Sequence, residues 1–67
     1  MPGAWDLSER ELTVLRLLAA GLSQRGVADQ LYVSFNTVKT HSRSILRKLG
    51  APDRAQAVAR ARELGLL

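Results

Sequence analysis

Four residues punctuate this chain and limit what it can become. Ser8, Ser23, Ser34 and Asp53 each stand just ahead of a stretch with apolar residues at helical spacing. Each carries a side-chain oxygen that accepts from a backbone N–H left free at a helix start. Three of the stretches run into glycine, at Gly21, Gly50 and Gly65, where a left-handed residue ends a helix at least cost. Ser8 with Glu11, and Asp53 with Gln56, have the spacing of a capping box, and Leu7 and Leu12 are placed as a hydrophobic staple around the first. Tyr32-Val33 interrupts the second stretch, leaving only a tight turn before Ser34. The punctuation predicts helices over about 9–20, 24–31, 35–49 and 54–64. Leu12, Leu15, Leu18 and Leu22, with Val14, keep a helical period and not the alternation of a strand. Val27, Ala28 and Leu31 are the inward candidates of the second helix, and Ala55, Val58, Ala59, Ala61 and Leu64 those of the fourth. The expected class is all-α, a four-helix bundle.

Sixty-seven residues make one small domain, expected over 7–67 behind a tail of residues 1–6, frayed over 1–4 and anchored by Trp5. Cysteine is absent, which excludes disulfides, thiolate metal sites and cysteine nucleophiles. His41 is the single histidine and cannot assemble a zinc site alone. Apolar runs such as residues 17–20 fall far short of the roughly 20 residues of a membrane span. The first residues lack the basic flank and apolar stretch of a signal peptide, so a cytoplasmic protein is expected. No glycine-rich phosphate loop or nucleophile–base pair is present, and the acids sit largely at capping positions. An enzyme, a cofactor and a small-molecule ligand are therefore not expected.

The charge is unevenly placed. The net charge is +4, and residues 34–50 hold Lys39, Arg43, Arg47 and Lys48 with no acid. The flanking segments nearly balance. On a wheel of about 100° per residue, Phe35, Val38, Ser42, Ile45, Leu46 and Leu49 of the third helix form one core-facing stripe. Asn36, Lys39, Thr40, Arg43 and Arg47 lie opposite, with Thr37, His41 and Lys48 on a flank. A solvated face is the plain reading of such a helix. Yet the outer face lacks the acids that normally pair with exposed cations at i,i+4. The helix also follows a short capped helix across a tight turn, the layout of a helix-turn-helix whose second helix enters the major groove. Double-stranded DNA is the anionic partner this arrangement suits.

Leu7-Ser8-Glu9-Arg10-Glu11, Val14-Leu15-Arg16-Leu17-Leu18-Ala19-Ala20-Gly21-Leu22-Ser23, Val27-Ala28, Leu31, Val33-Ser34, Thr37-Val38-Lys39-Thr40-His41, Ile45, Lys48-Leu49-Gly50, Arg54 and Ala57-Val58 together resemble the LuxR/FixJ-type (GerE-like) helix-turn-helix family. The resemblance spans about residues 7–67. It implies a four-helix DNA-binding domain of a transcription regulator, usually C-terminal to a receiver or ligand-binding domain and dimeric on DNA. Lys39, Thr40 and Arg43 match the family positions that reach into the major groove, and Asn36 on the same face joins them as a base contact. Lys and Arg donate to guanine O6 and N7, and a Thr methyl meets a thymine methyl. A role confined to phosphates is the alternative for Lys39 and Arg43.

Ser34 and Thr37 match positions near the DNA backbone, although Ser34 also serves as an N-cap. Gln24 and Arg25 open the second helix, where free N–H groups favour a phosphate; a merely solvated start is the alternative. Arg47, Arg54 and His41 complete the phosphate candidates. By resemblance the last helix supplies a homodimer contact, assigned to Ala57, Ala61 and Leu64, while Ala55 and Val58 are expected to cover the first and third helices. Four positions depart from the family pattern: Thr13 and Gly26 stand where Glu is common, Ser42 where Val is frequent, and Phe35 where polar residues prevail. Loss of the two acids is expected to loosen an internal salt bridge, and Ser42 to thin the packing. Phe35 is expected to pack on Tyr32 or a neighbouring helix, with a thymine methyl as the other reading. A protein-interaction module docking on another regulator or RNA polymerase is the alternative function.

Overall fold

The computed structural model describes residues 6–67, so the tail over 1–5 and the anchor expected of Trp5 lie outside the described residues. The caps act as their chemistry requires. Ser8 Oγ accepts from the Glu11 N–H at 3.1 Å while Glu11 Oε1 accepts from the Ser8 N–H at 2.9 Å, and α1 runs Glu9–Ala19. Ser23 Oγ accepts from the Gly26 N–H at 3.0 Å to open α2, Gln24–Leu31. Ser34 Oγ accepts from the Thr37 N–H at 3.1 Å to open α3, Phe35–Leu49. Asp53 Oδ1 accepts from the Gln56 N–H at 2.9 Å to open α4, Arg54–Glu63. The expected box at Asp53 is thus half formed, with a bond from the Gln56 N–H and none back from the Gln56 side chain. The first and fourth helices each end one residue before their expected ends, because Ala20 and Leu64 are C-caps.

The α2–α3 turn is closed by an unusual residue. Tyr32 has φ 59°, the one non-glycine left-handed residue among those described, and the residue is 94% exposed. The turn gains a bond from the Val33 N–H to the Ala28 carbonyl at 3.1 Å.

Val14, Leu15 and Leu18 of α1, Val27 and Ala28 of α2, Val38, Ile45 and Leu49 of α3, and Ala57 and Ala61 of α4 form one core. The helix α3 packs on all three others, so its inner face is fixed and its outer face is held at a defined angle. Three expectations about burial are corrected. Phe35 is 37% exposed, outside the core stripe to which it was assigned, because it sits in the first turn of α3 at the stripe's edge. Ala55 and Ala59 are exposed, since the inward face of α4 runs through Ala57, Ala61 and half-buried Leu64 at i, i+4 and i+7. That geometry also removes Ala57 and Ala61 from any surface: both are within about 1% of full burial, used up in packing α4 on α1 and α3, and cannot serve as the dimer contact assigned to them. Leu64, half-buried against the same core, faces inward with them.

Ser42 is buried, and its Oγ finds no hydrogen-bond partner among the described residues. It lines a partly open pocket of about 160 Å³ together with Leu15, Leu18, Ile45 and Ala57, and with Gln24, Leu46 and Arg54 toward solvent. The thinner packing expected at this position is therefore present.

Candidate nucleic-acid interface

The outer face of α3 is exposed along its length. Asn36, Lys39, Thr40, Arg43 and Arg47 are all exposed, whereas Val38, Ser42, Ile45 and Leu49 are buried. From Asn36 to Arg47 this face extends roughly 16 Å along the axis at 1.5 Å per residue. It carries three cations and no acid. The Ser34 and Thr37 hydroxyls lie 2.9 Å apart and bond to each other, so both help to fix the start of the helix; one hydroxyl hydrogen is spent between them, which leaves the other to donate outward. His41 is half-buried on the flank.

Phe35 gathers cations at this end of the helix. The Arg25 guanidinium carbon lies 5.1 Å from its ring centroid and Lys39 Nζ 5.8 Å, both within the roughly 6 Å of a cation–π contact. Arg25 is exposed and Gln24 half-buried. Phe35 thus packs against a residue of the neighbouring helix, α2; Tyr32, almost wholly in solvent, is not its partner.

Two other basic residues brace the domain. Arg54 Nη1 donates to the Leu22 carbonyl at 2.8 Å, tying α4 to the α1–α2 loop. Lys48 Nζ donates to Glu11 Oε1 at 2.8 Å and to the Asp6 carbonyl at 3.0 Å, so the fourth cation of the basic segment is spent inside the fold. Burial pushes the Glu11 carboxyl up, but hydrogen bonds from Lys48, Ser44 and the Ser8 N–H, with the Lys48 charge, outweigh it and bring it from 4.5 to about 2. An internal salt bridge therefore forms from Glu11 and Lys48, while Thr13 turns its hydroxyl to the Glu9 carbonyl at 3.0 Å. Sequence reasoning gave Glu11 only its capping role. The signal was there: Glu11, Leu15 and Leu18 share one inward stripe, and an acid on such a stripe requires a cation.

No helix among the described residues is long and apolar enough to cross a membrane, and no three of their His, Asp and Glu side chains are grouped so as to hold a metal ion.

Comparison with known proteins agrees with this architecture. The sequence profile of the bacterial regulatory proteins, luxR family, matches residues 6–61. The chain is 47% identical over 64 residues to YxjL, an uncharacterized transcriptional regulatory protein of Bacillus subtilis, covering 96% of this chain and 29% of that protein. It is 48% identical over 66 residues to the probable transcriptional regulatory protein NarL of Mycobacterium tuberculosis, covering 98% and 31% respectively. The chain therefore spans about a third of the length of these relatives. Among solved structures it superposes on ChrA, the response regulator of a heme-sensing two-component system, with TM-score 0.88 and 44% identity, covering 91% of this chain and 30% of ChrA. It superposes on the transcription factor GerE with TM-score 0.85 and 34% identity over 91% of both chains. With four helices in the same arrangement and a profile match across most of its length, the chain belongs to the LuxR family of bacterial regulatory proteins, which are regulators and not enzymes.

Proposed function

We propose that this domain is the output domain of a transcription regulator and binds double-stranded DNA sequence-specifically, with α3 in the major groove. The observation that carries the proposal is the exposed, acid-free face of α3, set on a helix whose other side is locked into the core. Asn36, Lys39, Thr40 and Arg43 on that face meet base edges, the role that N-terminal residues of a recognition helix perform. Arg25, Gln24 and Arg47 meet phosphates on either side, joined by His41, by Ser34 and Thr37 at the helix start, and by the free N–H groups of Arg54. Two copies occupy a palindrome with half-sites about one helical turn apart.

Selection of bound duplexes from a random pool, followed by fluorescence anisotropy at fixed salt, tests the reading. Affinity is expected to fall with salt at a log–log slope of about −0.9 per phosphate neutralised. Lys39→Ala or Arg43→Ala is expected to cost roughly 1–3 kcal/mol and to relax base preference at particular positions. Variants that bind like the parent would overturn the groove assignment.

A further inference from the structure

Phe35 is the one large apolar side chain on the outward side of α3. On the helical wheel it lies about 60° from Val38 and about 40° from Lys39, on the border between the buried stripe and the basic face. The residue is 37% exposed, with Arg25 over its ring at 5.1 Å and Lys39 at 5.8 Å. The exposed part of the ring is thus flanked by two cations. The surroundings also restrict what can cover it. An apolar protein surface would have to desolvate two cations to reach the ring, at a cost that unpaired buried charge makes large. An occupant that is anionic overall and presents a small apolar group satisfies both features. A DNA duplex does so: its phosphates match Arg25, and in the major groove thymine alone of the four bases displays a methyl group.

The geometry points to Phe35 as a specificity-determining residue that reads the C5-methyl of a thymine beside the base contacted by Lys39. The first turn of a recognition helix is the part that reaches base edges, and phenylalanine is among the side chains that meet a thymine methyl. This inference rests on the DNA-binding reading above and assigns to α3 an apolar contact beside its polar ones.

Thymine and uracil differ only in that methyl group, so replacing one by the other isolates the contact. In the half-site recovered from a random pool, each thymine is changed singly to deoxyuridine, and anisotropy is measured at fixed salt for the wild type and for Phe35→Ala. One replacement is expected to weaken the wild type by roughly fourfold, the worth of one buried methyl. Phe35→Ala is expected to bind the thymine and uracil forms of that duplex equally. The ratio is taken within one protein and does not depend on the fraction folded; if the variant binds weakly, the ratio is read at lower salt, where phosphate contacts raise affinity. A wild type that binds its site but ignores every replacement would overturn the inference and leave DNA binding standing. Equal losses on both duplexes with the discrimination retained would also overturn it, making Phe35 a positioning residue for Arg25. A wild type that selects no duplex would overturn the DNA-binding reading itself.

Discussion

Glu11→Gln removes one negative charge from the inside of the domain and little else, because glutamine keeps the length and one acceptor oxygen of glutamate. The carboxylate lies 2.8 Å from Lys48 Nζ and accepts from the Ser8 N–H at 2.9 Å. It titrates near 2 in the fold against 4.5 for an ordinary glutamate. A difference of that size corresponds to about 3 kcal/mol of folding free energy. The Glu11 side chain is 7% exposed and that of Lys48 29%, so water at the lysine end trims the value, and about 2–3 kcal/mol is expected at neutral pH. For a chain of this size that is a large part of the total stability, and it corresponds to a melting temperature lower by roughly 10–20 °C.

The pH dependence fixes the sign. Because the folded carboxyl is the more acidic, its contribution is complete above pH 4.5 and disappears as pH falls toward about 2. A protonated Glu11 and a glutamine are near equivalents, so the two proteins are expected to converge at the acid end. Melting both by circular dichroism at pH 7, 4.5, 3 and 2 reads the gap directly. Lys48→Met provides the complementary arm. It leaves the buried carboxylate without its cation, which destabilises at neutral pH and is relieved on acidification, as the carboxyl then protonates. The double variant is expected to lose less than the sum of the single ones. A gap between wild type and Glu11→Gln that stays constant from pH 7 to 2, or one below about 1 kcal/mol at pH 7, would refute the reasoning.

Three other substitutions probe local features. Ser42→Val replaces an unpartnered buried hydroxyl with methyl groups beside a partly open pocket of about 160 Å³, and is expected to raise stability by about 1–2 kcal/mol in urea unfolding. Tyr32→Gly relieves the left-handed backbone at φ 59° and is expected to stabilise by about 1 kcal/mol, read in the same experiment. Gly26→Ala adds a methyl whose nearest neighbour, Ser23 Oγ, lies at an ordinary 3.4 Å; a gain of roughly 0.5–1 kcal/mol is expected from the better helix former, seen as a higher melting temperature.

What the sequence discloses and what it hides follow from the range of the forces involved. The helix starts are legible because capping is local: Ser8, Ser23, Ser34 and Asp53 each bond to an N–H three residues on. The inner stripe of α3 is legible because Val38, Ile45 and Leu49 contrast sharply with the cations opposite them. The fourth helix offers no such contrast. Ala55, Ala57, Ala59 and Ala61 recur at every second residue and so fall alternately on opposite sides of a helix, each too small to mark a face. The choice is made by what α1 and α3 leave open, and it selects Ala57 and Ala61. The same applies to Lys48 and Glu11, separated by 37 residues. Each looks like a surface charge until the third helix is laid across the first.

The remaining cations of α3 expose a conflict between stability and binding. Lys39, Arg43 and Arg47 stand four residues apart on one exposed face, and like charges at that spacing oppose each other by roughly 0.2–0.5 kcal/mol per pair. No carboxylate among the described residues pairs with these three cations, and Glu11 is already taken by Lys48. A face that served only the fold would lose nothing by placing an acid in the middle. Arg43→Glu makes that change, converting two repulsive neighbours into two attractive ones. Each pair swings from repulsion to attraction, so the free domain is expected to gain roughly 1–2 kcal/mol at low ionic strength, with the gain shrinking as salt screens the pairs. Binding to the selected duplex should fall steeply at the same time, because a carboxylate replaces a donor to bases and faces the phosphates. Thermal melts and anisotropy on the one variant give both numbers. A variant that loses stability would show that Arg43 serves the fold, whereas a variant that gains stability and still binds like the wild type would remove the outer face of α3 from the interface.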